Sequence, residues 1–467
     1  MEDRIKVAFA LIVLVVVVVA GVTSYLVLFP TTSKPTTSPT GTAVCPASGG
    51  NGTAGHWTTY HRDNSRDGNQ SATPVTSAHA KWAGPTGVDG QVYAEPLVCG
   101  DAVFVATEND SVYAINASTG GVLWRTHLGT PVPGDDLPCG DIDPSGITGT
   151  PVIDTTNGVL YVVAYLVPAH HVLFGLSVAS GAVLSQVPVD PDPPNTTAEQ
   201  ERGALALANG IVYVPFGGLY GDCASYHGWV VGVRTDGTGG LLTYMVPTHR
   251  EGGIWSPAGI SVAANGSLYV ATGNGDSTTT FDFGDSVIEL SPSLTSVDYF
   301  APTDWAQLNG NDNDLGTVAP AVLPTGNVFQ VGKAGVGYLL AGSHLGHIGG
   351  QLGLGPVCGG AYGGTAQANG SVLVPCVDGI FDVVPSASNF SVGWQTTSFD
   401  AGSPVVTGNV VWSVDITTAT LLGFNLTNGR SLFSFPLSAA DHFISPAAAP
   451  GSLYVGAGTD LYGFTLG

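Results

Sequence analysis

From residue 94 onward the chain repeats one pattern of apolar and polar positions. Its clearest copy is AEPLVCGDAVFVATENDSVYAINASTGGVLWRTHL (94–128). It reads as a run of small apolar residues, a Gly-Asp turn, an alternating segment, a second turn, VYAIN, a Ser-Thr-Gly turn, and a last segment carrying Trp124. Alternation between turn residues is the mark of half-buried strands, and four such strands in close succession predict one antiparallel sheet. Related units run over 149–189, 204–246, 256–300, 318–352, 363–397 and 402–437. An eighth, 445–467, stops before its fourth strand. Four-stranded sheets repeated radially form a β-propeller, which needs its first and last blades joined. The expectation is an all-β, eight-bladed propeller, with HAKWAGPT (79–86) supplying the missing strand and Trp82 matching Trp124 and Trp394. Seven blades would follow if 318–352 were an insertion.

The N-terminus breaks this pattern. Val7 to Phe29 carries no charge and is long enough at helical rise to cross a hydrocarbon core of ~30 Å. Arg4 and Lys6 precede it, so the positive-inside rule places residues 1–6 in the cytoplasm and all that follows outside. A cleaved signal peptide is the alternative, although no Ala-x-Ala site ends the run. Residues 30–56 are mostly Pro, Thr, Ser and Gly and read as a spacer. These features predict a single-pass membrane protein: a helix over 7–29 in the lipid bilayer, a linker over 30–56, and an extracellular propeller over 57–467.

Composition supports the β reading. The 66 glycines and 31 prolines in 467 residues, with two methionines and seven glutamates, leave few strong helix formers. The charge excludes one class of partner. Twelve Lys+Arg against 35 Asp+Glu give a net charge of -23 with no basic run, so there is no footprint for nucleic acid. In an acidic medium those carboxylates would be neutralised and few cations would be left to repel one another, which predicts an acid-tolerant protein.

An exterior location makes the six cysteines candidate disulfides. Cys358 and Cys376 flank a strand, an Asn369-Gly370 turn and a second strand, which returns the chain to its start. Cys139–Cys223 and Cys45–Cys99 complete the set. Sequons stand at Asn51, Asn69, Asn109, Asn116, Asn195, Asn265, Asn369, Asn389 and Asn425, as in an N-glycosylated surface protein. At Asn265 and Asn369 the same residues also suit a hairpin turn.

The segment Asn116-Ala-Ser-Thr-Gly-Gly-Val-Leu-Trp124, and more weakly Asn425 to Phe433, resembles the repeat of the pyrroloquinoline-quinone-like (PQQ-like) propeller family. CGDIDPSGITGTPVID (139–154), GDCASYHGWVVGV (221–233), GGIWSPAGISVAANGSLYVATGNG (252–275) and GKAGVGYLL (332–340) are similar to segments of its secreted prokaryotic members. The resemblance covers about 57–467. It implies a quinone on the propeller axis, calcium held by a Glu, an Asn and an Asp, and an Asp as base. Asn274 in TGNG resembles the calcium-binding Asn, and Asp312 or Asp314 in LNGNDNDLG resembles the segment with the Asp pair. Oxygen donors of this kind suit calcium, and paired carboxylates suit proton abstraction. Lys333 and Arg202 are the cations available to an anionic cofactor, and Trp255 is placed to line the axis. The chain departs from the pattern in having no vicinal Cys-Cys and no CxxCH haem site, and no residue takes the place of the Glu ligand.

Other clusters have plainer readings. Asp135, Asp136, Asp141 and Asp143 share a loop but lack EF-hand spacing, which leaves turn capping. His170-His171 falls between two strands with no ligand partner at metal spacing, and His344 and His347 flank a Gly-rich stretch where they would line a rim. Taken together, the sequence predicts a non-catalytic scaffold whose loops bind a surface protein or glycan. The alternatives are a dehydrogenase using PQQ and calcium, and a structural subunit of a glycosylated surface layer.

Overall fold

The computed structural model describes residues 35–46, 56–70, 73–192 and 195–467. The membrane helix expected over 7–29 and the sequon at Asn51 lie outside these residues. Among the described residues no helix is long and apolar enough to cross a membrane.

The described strands assemble into eight sheets, each antiparallel through its four core strands. In the first blade these are Leu97–Cys99, Ala102–Thr107, Ser111–Asn116 and Val122–His127. The inner strands are short, and those of the first and seventh blades are wholly buried, whereas the outer strand of the seventh, Ser431–Pro436, is largely exposed. That gradient follows from the ring: inner strands are covered by their neighbours, and outer ones face solvent on one side. The unit at 318–352 is a blade, so the count is eight. Its fourth strand is Gly353–Pro356, beyond the expected end, because residues 341–352 first detour to pair His347–Ile348 with Phe300–Ala301 of the preceding blade.

The ring closes through a borrowed strand. Ala78–Ala80 pairs antiparallel with Leu466 to Phe464, and Trp82 packs on Tyr454 with ring centroids 5.8 Å apart. Trp82 and Trp124 use the same device, an indole laid on a turn glycine of the next blade. A Cβ at Gly120 would lie 2.8 Å from Trp82, and one at Gly181 would lie 2.5 Å from Trp124. Trp124 also donates to the Val178 carbonyl at 3.0 Å, as Trp394 does to Leu426 at 3.1 Å. Trp82→Ala is expected to cost about 3 kcal/mol, through the cavity it leaves at the closure; a shift in the urea midpoint measures it.

Part of the expected spacer is ordered. Thr36–Pro39 adds a fifth strand to the outer edge of the first blade against Trp124 to His127, and Cys45 is bonded to Cys99. Edge pairing uses backbone groups alone, so a Thr/Ser segment with no apolar face can make it. Cys139–Cys223 and Cys358–Cys376 are the other two bridges.

Residues 56–70 form a hub across the axis. Trp57 exchanges backbone hydrogen bonds with Val98 of the first blade, and Ile153 of the second donates to the Thr58 carbonyl at 2.8 Å. Arg66 reaches the Leu205 and Ile260 carbonyls of the third and fourth, each at 3.0 Å. His61 Nδ1 lies 2.8 Å from the Thr365 carbonyl of the sixth and its Nε2 3.1 Å from Ser445 Oγ of the eighth. Val406 of the seventh donates to the Gly68 carbonyl at 2.8 Å.

Candidate functional site

The loops that join the second strand of a blade to its third, and the fourth to the next blade, emerge on one face. There they surround an axial cavity of about 640 Å³. Beneath it the hub closes the axis. Ser403 of the lining accepts from Gly364 N at 2.9 Å, and Gly364 packs on the buried ring of Tyr60.

The cavity is built around Trp255. A Cβ at Gly273 would stand 2.8 Å from Trp255 Nε1 and 2.9 Å from Asp314 Oδ1, so only glycine at this position lets the indole and the carboxylate approach. Two cations stand over the indole, the Arg202 guanidinium at 5.4 Å and Lys333 Nζ at 5.9 Å from the ring centroid. Arg202 is buried and donates through Nη2 to the Gly218 carbonyl at 2.9 Å, while its Nε has no partner among the described residues. Burial lowers its pKa, against the pull of Asp141, Tyr226, Asp222 and Asp314.

Lys333 Nζ bridges Asp312 Oδ1 and Asp314 Oδ2, both at 2.7 Å. Burial alone would lower the ammonium's pKa, but Asp314 and Asp312 raise it well above its ordinary value. The two carboxylates differ. The Asp312 side chain is 65% exposed, whereas that of Asp314 is 5% exposed and accepts at Oδ1 from the backbone N–H of Asn274 at 2.6 Å. Burial pushes Asp314 above the usual carboxylate range, although Lys333 opposes it. Behind it Asp285, fully buried and raised well above that range by burial, accepts from Leu315 N at 2.8 Å and holds the turn after Asp314.

Trp255, Asn274, Asp312, Asp314, Lys333 and Arg202 therefore meet in one cavity. Sequence reasoning missed Tyr226, Tyr362, Ser403, His442 and Phe443, which also line it. Each lies on a loop of the same face, so their common place in the repeat was the available signal. The glutamate implied by the resemblance is absent from the lining. Glu199 accepts from Trp229 Nε1 at 3.2 Å, and Glu201 packs against Gly149.

The other clusters resolve as follows. Asp143 caps Gly134 N at 2.8 Å, as turn chemistry predicts, and Asp141 reaches the cavity, with its carboxylate 3.8 Å from His442 Nε2. His170 and His171 do have a carboxylate partner: both Nδ1 atoms meet Asp190, at 2.9 and 3.0 Å. Asp190 follows the next strand, where the pairing of Val172 with Pro188 brings it back to the histidines. His344 and His347 stand at the outer edge of the fourth blade rather than on the cavity rim. Among the sequons, Asn69, Asn109 and Asn195 already donate through Nδ2, the atom a glycan would modify, to Gln367, Asp89 and Ser225.

Residues 57–284 match the family model of the outer membrane protein assembly factor BamB. The chain is 25% identical over 435 residues to the polyvinylalcohol dehydrogenase of Sphingopyxis sp. (strain 113P3), a match that covers 78% of this chain and 59% of that protein. It thus spans less than two thirds of that relative's length. The quinohemoprotein alcohol dehydrogenase from Comamonas testosteroni superimposes with a TM-score of 0.67 at 15% identity, covering 88% of this chain and 80% of that one. A europium-containing methanol dehydrogenase gives 0.65 at 14%, covering 88% and 98%. These two likenesses are of fold. The expectation of a non-catalytic scaffold is overturned by the match to a dehydrogenase over most of the chain.

Proposed function

Since the chain is a PQQ-like β-propeller, we propose that it is a quinone-dependent dehydrogenase that oxidises alcohols in its axial cavity. The observation that carries this reading is the Trp255 indole with two cations near its ring and a buried carboxylate beside it. A flat, polyanionic quinone fits such a place. The indole supplies a stacking face, Lys333 and Arg202 supply positive charge, and the unpaired Arg202 Nε is a donor without an acceptor. Calcium fits less well. Asn274 and Asp314 offer oxygen donors, but no glutamate joins them and Lys333 already neutralises Asp314. No step here depends on a metal.

A bound quinone would supply the two-electron, hydride-accepting chemistry at the alcohol carbon. The chain's part is to hold the alcohol and take the hydroxyl proton. Asp314 is placed for the proton: one oxygen is fixed by Asn274 N, and the other faces Lys333. Lys333 opposes the upward push of burial on this carboxyl, and Tyr226, Tyr362 and Phe443 line the same cavity. The three disulfides favour a location outside the cytoplasm, and a membrane anchor over 7–29 remains part of the proposal.

The test is quinone retention. Purified protein incubated with PQQ and desalted is expected to keep the chromophore, quench its tryptophan fluorescence and reduce a dye with secondary alcohols. Trp255→Ala is expected to weaken retention by at least about tenfold, from the loss of about 1.4 kcal/mol or more of stacking. No retention and no dye reduction, with calcium present or absent, would overturn the proposal.

A further inference from the structure

We propose that Asp298, His344 and His347 form a transition-metal site of zinc type on the outer edge of the fourth blade. His344 Nδ1 lies 3.0 Å from Asp298 Oδ2, and His347 Nε2 lies 3.3 Å from Asp298 Oδ1. One donor atom from each residue falls within 4.8 Å of the others, a spread that one ion spans. Two imidazoles and a carboxylate are the donor set of open zinc sites, and an imidazole-rich set disfavours calcium and magnesium.

The positions are built rather than loose. Backbone N–H groups of Tyr299 and Leu345 fix the two oxygens of Asp298, at 2.8 and 2.7 Å. His347 stacks on Tyr299 at 4.6 Å and 13°, and its own φ of 59° with Gly346 at 94° turns the chain back so that both imidazoles reach the same carboxylate. Both histidine side chains are more than half exposed, so an ion can arrive and keep positions open to water. Asp298 belongs to the fourth blade's outer strand, and the histidines to the detour of the fifth. A bound ion would clip the two blades together where two parallel pairs, Phe300–His347 and Ala301–Ile348, now join them.

None of the three residues lines the axial cavity, so the site stands apart from the quinone proposal. The test titrates Zn²⁺ into the chelator-treated full chain by calorimetry and follows the thermal midpoint. One equivalent is expected to bind and raise the midpoint, with calcium failing to compete. His344→Gln and His347→Gln are each expected to weaken binding by more than the roughly 10- to 100-fold cost of losing a residue that only orients a ligand. Their metal-free midpoints should stay close to that of the parent chain, since both side chains are more than half exposed and an exposed ion pair contributes at most about 1 kcal/mol. Absence of binding, equal binding by the double variant, or displacement by equimolar calcium would overturn the site.

Discussion

Asp314→Asn is expected to lower kcat for alcohol-dependent dye reduction by about 10²–10⁴, the range for loss of a general base. Asparagine keeps the shape and one acceptor for the N–H of Asn274, but it cannot take a proton. The fold should survive, because Lys333 retains Asp312 at 2.7 Å. Asp312→Asn is the control. Its side chain is mostly exposed and Lys333 would keep Asp314, so kcat should change by less than about tenfold. Quinone retention by both variants would confine the effect to chemistry. Full activity in Asp314→Asn, or a larger loss in Asp312→Asn, would remove Asp314 from the role of base.

The second large effect is on stability, which is expected to fall as pH rises. Burial pushes Glu95 up to about 8, Glu108 to about 7 and Glu199 to about 8. It also raises Asp110, Glu201 and Asp285 well above the ordinary range. Each of these holds its proton to higher pH in the folded chain than in the unfolded one. For Glu95, Glu108 and Glu199 the stability contributed is therefore complete below about pH 4 and is lost as pH rises through 7 to 8; Asp110, Glu201 and Asp285 act with the same sign. His61 works in the other direction. Burial depresses it to about 3, so its contribution is present above about 6.5 and fades as pH falls toward 3. Burial lowers His56, His227 and His442 as well, but the six carboxylates outweigh the histidines between pH 5 and 8. The urea midpoint is therefore expected to fall between pH 5 and pH 8. A midpoint at pH 8 equal to or above that at pH 5 would refute it. If the midpoint does fall with rising pH, the acid tolerance inferred from a scarcity of cations rests on these buried acids as well.

The blades were legible in the sequence because each is local: four strands within about forty residues, punctuated by glycine turns such as the one at Thr119-Gly120. The closing strand was legible for a related reason, since a unit short of one strand points to a donor elsewhere. The hub was not. His61 touches Thr365 and Ser445, and Glu95 touches Ser445, across more than 300 residues, and no periodicity encodes such a meeting. The edge strand Thr36–Pro39 was read as a spacer because its pairing uses the backbone and leaves no apolar trace. In the cavity, residues with a recognisable neighbourhood, Trp255, Asn274, Asp314 and Lys333, were found. Tyr362 and His442, set in loops without one, were not.

The hub has a consequence for biogenesis. Residues 56–70 and the closing strand Ala78–Ala80 precede every complete blade, yet the partners of His61 and of that strand arrive with the sixth and eighth. During synthesis the hub emerges before every complete blade; Arg66 finds its carbonyls with the third and fourth, but the imidazole of His61 must wait for the sixth and the eighth. Until then the ring is open and that imidazole lacks its partners. Threading across a membrane before the ring seals would suit the nascent chain better than folding first and crossing afterwards.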